Sequence, residues 1–134
     1  LRGTPRHVYL PEHYQRLLDL NPSESNAMLF CMGTVAEMAE GDIYEVVDRY
    51  SRTGRIAFVH MRNVRGRVPH YDEVFIDEGD VDMIRVLGIL EQNGFDGVLV
   101  PDHGPYLDCE GGWYAGKAFL MGWIKAALSA VEHK

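Results

Sequence analysis

Long apolar runs are missing from this sequence. No stretch approaches the roughly 18 residues that a membrane span requires, and the most apolar segment, near the C-terminus, is interrupted by Lys117 and Lys125. No membrane partner is expected. Cysteine is scarce as well: Cys31 and Cys109 are too few for a disulfide framework, which makes a reducing cytoplasm the expected location. The opening Leu1-Arg2-Gly3-Thr4-Pro5 has neither an initiator Met nor the basic-then-apolar layout of a secretion signal, so the chain is expected to start in the middle of a gene. Basic charge is in short supply, with 13 Lys and Arg against 20 Asp and Glu for a net charge of −7. No segment concentrates Lys or Arg, which argues against a nucleic-acid partner, while a few local arginines can still hold an anionic small molecule. Also absent are a Gly-x-Gly-x-x-Gly after any strand, a Walker pattern and any internal repeat beyond a βα period.

What is present is the makeup of a folded domain, 46% hydrophobic and 25% charged over 134 residues. Pro11 suits the first turn of a helix reaching Leu20, with Leu10, Tyr14, Leu17 and Leu18 as its buried stripe. Turn chemistry over residues 21–26 precedes a short apolar strand, residues 27–31, which Gly33 ends. Ile43, Val46, Val47 and Tyr50 predict a second amphipathic helix, capped by Asp42 and stopped at Thr53-Gly54. Residues 56–60 form another apolar strand, and a long polar loop from Arg62 to about Asp77 follows it. Asp80 is the predicted cap of a helix carrying Val81, Ile84, Leu87 and Leu90, which stops at Asn93-Gly94. A third strand, residues 97–101, leads through a Gly-rich loop to a helix from about Ala115 to Val131.

The order α-β-α-β-α-β-α, with strands apolar throughout, predicts an α/β fold with a parallel sheet covered by helices. Open doubly wound sheets and TIM barrels both fit. Function-type residues stand where the strands end, the face on which TIM-barrel sites are built. Three βα units fall short of the eight a barrel needs, so residues 1–134 are expected to be a single, partial barrel domain without the N-terminal strands.

Cys31, His60 and Asp102 occupy matching strand ends, where they can converge on one metal ion; thiolate and imidazole favour a transition metal, and the carboxylate keeps Mn²⁺ and Fe²⁺ in play. Taken singly, each has a plainer reading, such as Cys31 as a small buried hydrophobe. His103 diverges from Asp102 and can face a substrate as general acid or base, or simply orient the loop. Arg62 and Asn63 offer a cationic fork and an amide for a carboxylate, although Arg62 can instead pair with Asp77 or Glu78. Tyr114 can donate a proton or pack. His7, His13, His70 and His133 are expected on surfaces or loops, and the acidic residues 77–82 cap a helix rather than bind Ca²⁺.

The segments Phe30-Cys31-Met32-Gly33-Thr34, Phe58-Val59-His60-Met61-Arg62-Asn63-Val64, Asp77-Glu78-Gly79-Asp80-Val81-Asp82-Met83 and Pro101-Asp102-His103-Gly104 together resemble mannonate dehydratase, a family of xylose-isomerase-like TIM barrels. The likeness covers nearly the whole chain. It implies the C-terminal three βα units of a (β/α)8 barrel and a lyase that removes water from D-mannonate to give 2-dehydro-3-deoxy-D-gluconate in glucuronate catabolism, using Mn²⁺ or Fe²⁺. It implies Cys31, His60 and Asp102 as metal ligands, His103 and Tyr114 as acid/base groups, and Arg62 and Asn63 as substrate-holding groups. Proton abstraction beside a carboxylate builds enediolate charge, which a divalent cation stabilises while a second group protonates the departing hydroxyl. The family has a further His ligand on an earlier strand, and no residue here stands in for it, so the isolated chain is expected to be inactive. Met32 and Val35-Ala36-Glu37-Met38 depart from the family's commoner variants. Two other readings stay open: a sugar isomerase or epimerase of the same superfamily, and a non-catalytic half-barrel that closes its edges against another copy. The expected state is a homo-oligomer acting on a small-molecule sugar acid.

Overall fold

The computed structural model describes residues 6–132, so His133 lies outside the described residues. The first helix, α1 (Glu12–Leu20), has Pro11 at its N-cap and an acidic Glu12 in its first turn, where a negative charge suits the helix dipole. Only Tyr14 and Leu18 of this helix are buried, and Leu17 is exposed, so the buried stripe is narrower than predicted. The turn after it also acts as a cap: the Asn26 amide donates to the carbonyls of Leu17, Leu18 and Asn21.

Strand β1 (Met28–Cys31) runs directly into a short helix, α2 (Met32–Ala36). Gly33 therefore lies inside α2 rather than ending the strand, because the Arg62 guanidinium rests against its backbone: a Cβ there would stand 2.3 Å from Arg62 Nε. Helix α3 (Ile43–Ser51) follows, with Asp42 accepting from the N–H groups of Tyr44 and Glu45 as predicted. Strand β2 (Ile56–His60) matches its sequence reading.

The predicted loop after β2 is instead an antiparallel hairpin, β3 (Asn63–Arg67) and β4 (His70–Val74). Its strands carry mostly charged and polar residues, so the alternation of a half-buried strand is hidden in the composition. Gly66 has φ +83, and a Cβ on it would meet His70 O at 2.7 Å. Helix α4 (Met83–Gln92) is capped by Asp82, whose side chain accepts from Arg85 N, not by Asp80. The Asp80 carboxylate accepts instead from Gly66 N at 2.7 Å and ties the hairpin to the α4 approach. Strand β5 (Val98–Val100) and helix α5 (Gly112–Glu132) complete the order; α5 begins earlier than predicted, which puts Tyr114 in its first turn.

The main sheet has the order β1-β2-β5 with both pairings parallel. This is part of the TIM-barrel fold, strands inside and helices outside. Phe30 and Val59 are fully buried on the helix side, within a core that joins Tyr14 and Leu18 of α1, Val47 and Tyr50 of α3, Val86 and Leu90 of α4 and Ile124 of α5. The opposite face is more open. Leu29, Phe58 and Val98 are register partners there, and Leu29 and Val98 are 45% and 63% exposed. Strand residues two apart share a face, so Cys31 and His60 stand on this open side.

Candidate metal centre

Strand register does the positioning. Cys31 pairs with His60 across β1 and β2, and His60 pairs with Val100 across β2 and β5. Asp102 lies two residues past Val100 and returns to the same face. Cys31 Sγ is 3.9 Å from Asp102 Oδ2, and His60 Nδ1 is 3.5 Å from that same oxygen. One potential ligand atom from each of the three residues lies within 4.8 Å of the others, the one such grouping among the described residues. Bonds of about 2.0–2.3 Å at tetrahedral angles set neighbouring donor atoms roughly 3.4–3.6 Å apart, so the spacing accommodates one ion with little adjustment. The donor set, a potential thiolate, an imidazole and a carboxylate, fits a divalent transition metal. Cys31 is buried while His60 and Asp102 are partly open, which gives the cluster one solvent-facing side.

Under this cluster lies a chain of charges. Arg62, only 6% exposed, donates from one terminal nitrogen to Glu37 Oε2 at 2.8 Å and from the other to Glu73 Oε1, and it also reaches Thr34 Oγ1. The Asp77 or Glu78 pairing considered from sequence does not form, because Arg62 turns toward α2 and the hairpin. Glu37 is itself 2% exposed and holds Arg6 through its second oxygen at 2.7 Å. Burial alone lowers the Arg62 guanidinium, but Cys31, Glu37 and Glu73 outweigh it and hold its pKa above the ordinary arginine range. One nitrogen of the guanidinium has no partner: Arg62 Nε is buried without a hydrogen bond, 4.0 Å from Asp102 Oδ2.

Asn63 is placed differently from its sequence reading. Its amide donates to Ile76 O and Val81 O and accepts from Val64 N and Val81 N, and the residue is 1% exposed. With both donors and the oxygen engaged by backbone, it has nothing left for a substrate. Gly79 makes room for it, since a Cβ there would stand 2.1 Å from Asn63 Oδ1. His103 is on the site: its Nδ1 is 2.6 Å from Glu73 Oε2 and its Nε2 is 3.6 Å from Asp102 Oδ2. Tyr114 is 79% exposed on the first turn of α5. Lys117, one turn further along, donates to the carbonyls of Pro101 and Asp102 and pins the segment that carries Asp102. His7 and His70 are exposed as expected, whereas His13 is partly buried against Tyr9 with their ring centroids 4.5 Å apart.

Glu37, Glu73 and Lys117 were missed from sequence. Glu37 had a signal: a lone acid between Val35, Ala36 and Met38 must either leave the core or find a cation. Glu73 had none, because its role depends on a hairpin whose existence the composition conceals.

A family model described as D-mannonate dehydratase (UxuA) matches residues 1–132. Among curated proteins, the mannonate dehydratase of Lactococcus lactis subsp. cremoris is 35% identical over 107 residues, which cover 76% of this chain and 30% of that protein. That of Streptococcus uberis is 31% identical, over 97% of this chain and 40% of its own length. The crystal structure of mannonate dehydratase from Streptococcus suis serotype 2 superimposes with a TM-score of 0.87 at 26% identity, covering 99% of this chain and 40% of the other. The chain thus spans well under half the length of the proteins it matches.

Proposed function

The chain belongs to the D-mannonate dehydratase family, and from that premise we propose that it forms the metal-holding part of a hydro-lyase converting D-mannonate to 2-dehydro-3-deoxy-D-gluconate. The observation that carries this reading is the convergence of Cys31, His60 and Asp102 within 4.8 Å from three adjacent strand ends. Mn²⁺ or Fe²⁺ held by these three supplies Lewis acidity where charge develops beside the substrate carboxylate. His103 exchanges a proton through the ring nitrogen that faces Asp102, and Tyr114, exposed on the first turn of α5, provides a second proton-transfer group. Arg62 contributes fixed positive charge at the site floor, with Nε as its one nitrogen without a hydrogen-bond partner. Asn63 shapes the loop and does not hold substrate. The setting is glucuronate catabolism in a reducing cytoplasm, where a thiolate ligand survives.

Co²⁺ titrated into the chain serves as a spectroscopic stand-in. The expected result is a thiolate-to-cobalt absorption band that Cys31→Ser abolishes; no band, or one that persists in C31S, would overturn the assignment. With D-mannonate and Mn²⁺ the isolated 134-residue chain should show no turnover, and the same residues within the whole barrel should release the keto-deoxy acid. Turnover by a verified monomer of this chain would contradict the proposal.

A further inference from the structure

We infer that Glu73 is a positioning residue for His103, fixing which ring nitrogen carries the proton and which one faces the bound substrate, a sugar acid. The inference rests on His103 being the proton-transfer group proposed above. Glu73 Oε2 lies 2.6 Å from His103 Nδ1. An ionised carboxylate can only accept, so at that distance Nδ1 is the protonated nitrogen. Arg62 takes the other oxygen of Glu73, Oε1, and is in turn held by Glu37. Each oxygen of Glu73 therefore has its own partner.

The consequence falls on the far side of the ring. With Nδ1 turned to Glu73, the other ring nitrogen faces the site: Nε2 lies 3.6 Å from Asp102 Oδ2, beside the metal-ligand cluster. That distance exceeds a hydrogen bond, so Nε2 is uncommitted and available to a substrate bound at the cluster. A carboxylate behind a histidine, setting its tautomer and aim, is the same logic that operates in catalytic triads. The two partners come from separate segments: Glu73 from β4, opposite Val64 of β3, and His103 from the stretch after β5. Their side chains are 32% and 44% exposed, so the pair borders solvent rather than core. The hairpin thus delivers a side chain to the site although it contributes no metal ligand.

The test reads the tautomer directly. In the 134-residue chain labelled with ¹⁵N-histidine, long-range ring correlations should show His103 in the Nδ1–H form, its signals identified by their loss in His103→Asn. In Glu73→Ala the Nε2–H form should become the major one. In Glu73→Gln, which preserves size and a weaker acceptor, the Nδ1 proton should move upfield. A wild-type His103 in the Nε2–H form, or spectra unchanged in E73A or in E73Q, overturns the inference; the wild-type and E73Q spectra decide it even if E73A disturbs the hairpin. In the whole enzyme, E73A and E73Q should lower kcat about 10- to 100-fold with KM for D-mannonate nearly unchanged. The two levels separate cleanly. Intact turnover in H103N sinks the catalytic reading of His103 and this inference with it, whereas lost turnover in H103N with unchanged kcat in E73A sinks only the positioning role.

Discussion

Burial pushes the Tyr14 phenol up to about 12, with Cys31 and Tyr50 adding to the effect. A phenol that holds its proton more tightly when folded contributes stability below its unfolded value, and that stability is lost as pH rises through the folded one. The fold should therefore weaken between about pH 10 and pH 12, and Tyr14→Phe should flatten that part of a stability-against-pH curve measured by urea unfolding. An unchanged slope in Y14F would show that other groups govern alkaline unfolding. At this scale the metal candidates were legible because each stands at the end of a short apolar run, a local pattern. Arg62 was legible only as a residue type: its partners, Glu37 on the α2 side and Glu73 on β4, meet it through tertiary placement, so sequence proximity pointed wrongly to Asp77 and Glu78. Asn63 shows the same limit, since an amide beside a site candidate looks alike whether it faces ligand or backbone.

Among elements, the acidic stretch before α4 separates two carboxylates that sequence cannot tell apart. Asp82 caps the helix, whereas Asp80 binds Gly66 N in the hairpin. Asp82→Ala should cost about 1 kcal/mol in global stability through the lost cap. Asp80→Ala should leave α4 intact and raise amide exchange around Gly66; hydrogen exchange by NMR distinguishes the two, and the reverse pattern would restore Asp80 as the cap. The strands β1 and β2 and the helices α1, α3 and α4 were recoverable from apolar periodicity. Helix α2 was not, because its glycine reads as a stop and is retained for a different reason, the close approach of Arg62.

At the level of the whole molecule, the three-stranded parallel sheet has two edges, β1 and β5, that are unpaired among the described residues, and an inner face where Leu29 and Val98 meet solvent. Parallel sheets are ordinarily covered on both faces, and open edges invite pairing. The chain alone should therefore associate as its concentration rises, and Val98→Lys should shift it toward monomer in light scattering while its melting temperature changes little. A wild-type chain that stays monomeric at high concentration would show that its edges need no partner. The partial barrel could be anticipated from the count of βα units alone; which face stays open could not, because residues of either face are apolar in every strand.

The Asn63 amide ties Ile76 and Val81 to the first residues beyond β2, so the segment between leaves and re-enters the scaffold through one buried staple. The far tip is fastened as well: Val68 N donates to Glu37 O at 2.8 Å, and Arg67 reaches the carbonyls of Met38 and Gly41. Anchored at root and tip, the excursion works as a brace: a change at the turn is felt at Glu37 and, through its ion pair, at Arg62 beside the ligand-bearing frame.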